Sequence, residues 1–194
     1  MFTDWKLFRT RPANPPLRRL AEMSHLVLHY REKGILSELV EIVRETPMEK
    51  EHYNLEEGLM ISGDDYWANH FDFGKTWQLS PWLIGQSRAA DIVVNVLLPF
   101  VSAWSQTINQ SELGEKAFVL YQTSLVIQEN MIERHLRTQF GLKNTEVNSA
   151  RRQQVLLHFY NKWCTQGRYE ECLLSQANFK LGVTSRDKSL ILPA

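Results

Sequence analysis

Asp64, Asp65, His70 and Asp72 make the densest group of titratable side chains in the sequence. Carboxylates beside an imidazole can exchange protons or hold a divalent ion when they converge in a cleft. The spacing limits that chemistry. Tyr66 and Trp67 stand among the acids where a calcium loop needs ligands, and no glycine follows at its turn position, so the run is not an EF-hand. The same residues suit capping and ion pairing, with Asp64 or Asp65 as N-cap of a helical turn over residues 66–70.

Glu22, His25 and His29 recur at i, i+3 and i+7, so all three project from one side of a helix, where such groups can chelate a metal. That side is opposite the Leu17, Leu20 and Val27 stripe, which predicts a solvated face. A third group lies further upstream. Arg9, Arg11, Arg18 and Arg19 present guanidinium forks that match phosphate oxygens, with Trp5 and Phe8 beside them as stacking surfaces for bases. The competing use of these arginines is internal pairing with the acids of residues 45–75, which carry eight carboxylates against Lys50 and Lys75. Cys164 and Cys172 are seven residues apart, a spacing of neither a zinc site nor a redox pair, and read as packed thiols. His158 stands on another side of its helix from Cys164 and forms no nucleophile pair with it. Walker, dinucleotide, Gly-x-Ser-x-Gly and zincin signatures are absent from the sequence, and no cofactor is expected.

The elements that must carry these residues are helical. Residues 1–16 read as an extended arm fixed by Pro12, Pro15 and Pro16, with Asn14 as the N-cap of the helix that follows. Apolar positions at Leu17, Leu20, Ala21, Val27 and Leu28 then mark one helix face, ended by Gly34. A second helix from Ile35 is closed by Pro47. Residues 45–85 form an irregular acidic and aromatic segment with a short helix near 64–70, and its rings Trp67, Phe71, Phe73, Trp77 and Trp82 are expected to be pinned out of water. Residues 87–106 give a nearly all-apolar central helix that Pro99 should kink. Further helices follow from Ser111, over 129–140 up to Gly141, and over 149–166. Strands are nearly absent from the pattern. The expected fold is mostly α: one helical bundle of about six to seven helices over 1–181, with a loose tail over 182–194.

A chain of 194 residues with 43% hydrophobic content can bury one sizeable core. Its 22 basic and 22 acidic residues balance, which removes any global field toward nucleic acid or an anionic membrane. Asp4 and Lys6 stand where a secretory leader needs an apolar core, and the apolar stretch 92–104 is too short to span a bilayer. A cytoplasmic protein without membrane attachment is expected, its two cysteines reduced.

Trp5, Phe8-Arg9, Arg11-Pro12 with Asn14 and Pro16, and Arg19-Leu20 form a motif of unusual residue types at fixed offsets. Together with Tyr66-Trp67, His70-Phe71, Asn95, Leu98-Pro99, Gln153-Gln154, Tyr160 and Cys164, it resembles the C-terminal helical region of the bacterial domain-of-unknown-function family 2851. The resemblance implies a helical region that, in longer relatives, follows a strand-rich, nuclease-like part. It also implies a further cysteine where Tyr169 stands here, so a family metal cluster is not expected in this chain.

The functional expectation is a non-catalytic helical module that docks on a protein partner or on such a strand-rich part, with nucleic-acid contact through the Arg9 to Arg19 arm. The alternative is an enzyme or metal-binding protein using Asp64, Asp65, His70 and Asp72.

Overall fold

Local punctuation sets where the helices begin and end. The computed structural model describes residues 15–47, 53–63, 65–76 and 82–168. Trp5, Phe8, Arg9, Arg11, Asn14, Asp64, Trp77, Cys172 and the expected tail over 182–194 lie outside the described residues, as do the side chains of Asp65 and Phe71. The first helix, α1 (Pro16–His29), starts from Pro15 in extended conformation, with Pro16 in the first turn where a missing N–H is no loss. Pro15 thus holds the cap position expected of Asn14, and its carbonyl accepts from the Arg19 N–H at 3.3 Å. Gly34, at a φ of 85° open to glycine, turns the chain into α2 (Ile35–Glu45).

The irregular segment resolves into α3 (Tyr53–Leu59), β1 (Ile61–Ser62), α4 (Asp65–Asn69), β2 (His70–Asp72), β3 (Lys75–Thr76) and β4 (Trp82–Ile84). β1 pairs antiparallel with β4, and β2 with β3, in two-stranded ladders too short to leave an alternating signature. The Tyr30 hydroxyl donates to the Gly58 carbonyl and ties the end of α1 to α3.

The central helix consists of α5 (Gln86–Ile92), a π turn over Val93–Leu97, and α6 (Leu98–Thr107). At 22 residues it is longer than the apolar stretch read from sequence, and by length and composition alone it could cross a bilayer. Its inner side belongs to a core: Ala89, Val93, Leu97, Val101 and Ser105 recur every four residues and are all buried. Four-residue steps drift by about 40° each on a regular α-helix. The wider π turn, closed by the Leu98 N–H on the Val93 carbonyl, takes back most of that drift. The expected distortion therefore falls on the turn before Pro99, which itself sits in the first turn of α6.

α7 (Ser111–Thr123) packs on α6; α8 (Met131–Phe140) ends at Gly141 in the left-handed region, and α9 (Ala150–Phe159) runs into a second π turn over Tyr160–Cys164. The fold is mostly α. Where the sequence reads as one helical domain, the chain divides into two compact units, Met1–Gln128 and Glu129–Ala194. The core of the first gathers Val43, Leu55, Leu59, Ile84, Leu98 and Leu120. In the second, Leu136, Val147 and Leu156 pack with Phe140 and Phe159.

Candidate functional site

α1 is inverted relative to the reading of its apolar stripe. Arg18, Ala21, Glu22 and Leu26 face inward, whereas Leu20, Met23, Val27 and Leu28 are 53%, 55%, 63% and 59% exposed. The reason lies in the backbone of the irregular segment. The main-chain carbonyls of Trp67, His70 and Trp82 lie within reach of α1, and carbonyls shielded from water need donors. The Arg18 guanidinium supplies them: Nη1 donates to the Trp67 carbonyl at 2.7 Å and the His70 carbonyl at 2.9 Å, and Nη2 to the Trp82 carbonyl at 3.1 Å. A planar fork on a long stem reaches all three from one helix position.

One turn further on, the Glu22 carboxylate pairs with the Arg88 guanidinium of α5. Burial raises the Glu22 carboxyl above its ordinary range, with Arg88 opposing, and burial lowers the Arg18 guanidinium. Asp91, one turn beyond Arg88, is also raised by burial and opposed by Arg88. Arg88 escapes a motif search because its partner Glu22 lies 66 residues away in sequence. The legible signal is Arg18 and Glu22 at i, i+4 on one side of α1.

This arrangement separates the proposed ligands of α1. Glu22 is engaged by Arg88, His25 is half-buried, and His29 is exposed with its ring edge-on to Tyr30 at 4.7 Å. The solvated face expected for Glu22 is instead closed. Among the described residues, no three His, Cys, Asp or Glu side chains gather as a metal site.

Of the acidic and aromatic group, His70 and Asp72 are satisfied locally. His70 stacks on Tyr66 at 3.8 Å, and its Nδ1 donates to the Tyr66 carbonyl at 2.8 Å. Asp72 accepts from the Phe73 N–H at 2.9 Å and the Lys75 ammonium at 2.8 Å, and these hydrogen bonds, the lysine's foremost, hold its carboxyl below the usual range. The Tyr66 hydroxyl bridges the turn, donating to the Asp72 carbonyl and accepting from the Gly74 N–H. Of the rings expected to pin this segment, Trp67 packs against the core, whereas Phe73 is 67% and Trp82 41% exposed. Arg18 pins it through the main chain.

Clefts of about 590 and 630 Å³ lie beside α6 and α7, lined by residues such as Ser105 and Phe118 or Arg44 and Lys116; neither is lined by His70 or Asp72. Cys164 is half-buried in the second π turn. Of the basic arm, Arg18 is committed inward and Arg19 is exposed.

The chain matches no curated protein and no solved structure. A family model described as a protein of unknown function, DUF2851, matches residues 1–149, which take in the first unit and α8 and stop before the Gln153 to Cys164 part of the resemblance. This protein belongs to the DUF2851 family.

Proposed function

We propose that this chain is a non-catalytic helical module that docks on another polypeptide, or on a strand-rich part such as the resemblance implies in longer relatives, through the outer side of α1. One observation carries the reading: the helix places its charged side in the interior and its leucine, methionine and valine side chains in water. Scattered apolar residues on a surface are ordinary, but a continuous helical stripe of them marks an interaction face. Because Arg18 is held by three carbonyls, nucleic-acid contact through the arm would fall to Arg9, Arg11 and Arg19.

The test is site-specific photo-crosslinking in cells that express the chain, with a benzophenone side chain at Val27 and, as control, at exposed Glu115 of α7. A discrete protein adduct is expected from Val27 alone, abolished by Leu20→Asp. Equal labelling from both positions would count against the docking face.

A further inference from the structure

The outer side of α1 has charges at both ends of its apolar stripe. Arg19 is exposed beside Leu20, and Arg31 and Lys33 are exposed in the turn after the helix, against a single exposed acid, Glu32, among the described residues of α1 and that turn. An occupant that covers Leu20, Met23 and Val27 must therefore come close to two or three cations. Like charges across an interface select against a partner, and opposite charges select for it.

A second copy of this chain would bring the same positive ends, and four half-exposed side chains per copy fall short of the roughly 1,600 Å² that a stable interface buries. An anionic membrane would satisfy the charge, but an interfacial helix keeps its charged side in the headgroup layer, and the charged side of α1, Arg18 and Glu22, is buried in the protein. We infer that the occupant is an acidic amphipathic segment of another polypeptide, with apolar side chains for the Leu20, Met23 and Val27 stripe and carboxylates for Arg31 and Lys33. This rests on the docking reading above and adds the chemistry of the partner. Recognition then follows the helix-on-apolar-face mode, with the cations at the ends of the stripe selecting an acidic segment.

The probe is a displayed library of helical peptides, with leucine fixed at i, i+3 and i+7 and the flanking positions randomised, selected on the full chain. Binders are then sorted by loss of binding to Val27→Asp, whose fold is checked by circular dichroism. Val27-dependent clones should be several-fold enriched in Asp and Glu at the flanks and should bind the Arg31→Glu/Lys33→Glu variant about tenfold more weakly. Val27-dependent clones with neutral or basic flanks would overturn the acidic partner and leave the docking face standing. A selection that yields no Val27-dependent clone would overturn the docking face itself. Co-sedimentation with phosphatidylserine–phosphatidylcholine vesicles that Val27→Asp abolishes would assign the face to lipid and overturn the inference.

Discussion

Arg18 Nη1 donates to the carbonyl oxygen of Trp67 at 2.7 Å, across 49 residues of sequence. That bond and its companions to His70 and Trp82 fix the rotation of α1 about its axis, because a guanidinium serving three carbonyls outweighs the burial of a few more methyl groups.

Removing this donor should be severe. Arg18→Met withdraws the donor that serves three carbonyls, while Glu22 keeps Arg88, and should cost about 3 kcal/mol in urea unfolding. Arg18→Lys keeps the charge but cannot span the acceptors, and should cost about 2 kcal/mol. Wild-type stability in Arg18→Met would remove the anchoring role.

The two sides of α1 should respond oppositely to substitution. Leu26 is 7% exposed and Val27 63%, although they are adjacent in sequence. Leu26→Ala should cost about 2–5 kcal/mol. Val27→Asp should stay within about 0.5 kcal/mol of wild type in the same unfolding assay while lowering binding of an apolar dye.

Acidity should act through Glu22. Its carboxyl is raised above 4.5 by burial, so in the window between the ordinary and raised values the native chain holds the proton more tightly than the unfolded one. That contribution to stability is full at the acidic end and is lost as pH rises through the raised value; Asp91 acts in the same sense from 3.8 upward. Asp72, lowered, acts oppositely and loses its contribution as pH falls. The stability of wild type relative to Glu22→Gln should therefore decline as pH is stepped from about 4 to 7, read from urea midpoints. A constant difference would show that Glu22 does not titrate in that range.

Gly114 offers a test of how closely α6 and α7 approach. An alanine in a helix is ordinarily favoured over glycine by about 1 kcal/mol, but here its Cβ would overlap the buried Ser105 hydroxyl. Gly114→Ala should destabilise by about 1–3 kcal/mol in thermal unfolding, and adding Ser105→Ala should recover most of it.

The second unit contains a buried polar pair whose loss should be measurable. Gln153 Nε2 donates to Glu133 Oε2 at 2.8 Å, both residues being 1% exposed, and the Asn130 side chain caps α8 by accepting from the Glu133 N–H at 2.8 Å. Gln153→Leu removes a donor from a buried carboxylate and should cost about 1–3 kcal/mol, and Asn130→Ala about 1 kcal/mol. Hydrogen exchange over residues 131–159 should report both.

Helix ends were legible where one residue decides them: Pro47, Gly141 and Ser149 each stand at or within two residues of an observed boundary, whereas α1 ends at His29, five residues before the Gly34 expected to stop it. The orientation of α1 was not. Periodicity identifies a stripe, but which side turns inward depends on what the neighbouring backbone lacks, and the carbonyls of Trp67, His70 and Trp82 are exposed as a demand only once that irregular segment has folded. The charged pair Arg18 and Glu22 was visible as an i, i+4 spacing, whereas its partner Arg88 lay 66 residues beyond Glu22. His70 and Asp72 stand two apart in sequence, yet each finds its hydrogen bonds within a few residues of itself and not with the other.

The π turn before Pro99 bears on how the central helix tolerates change in length. It holds one residue more than a regular turn, as a single insertion would leave it, and the residues on either side of it, Ala89 and Ser105, both remain inside. Deleting one residue within Val93–Leu97 would return the helix to regular α register with both halves still facing the core, but it would also bring the Pro99 ring against the carbonyl one turn earlier. Shortening this turn therefore calls for replacing Pro99 as well, and a chain shortened with Pro99 kept loses a helical turn.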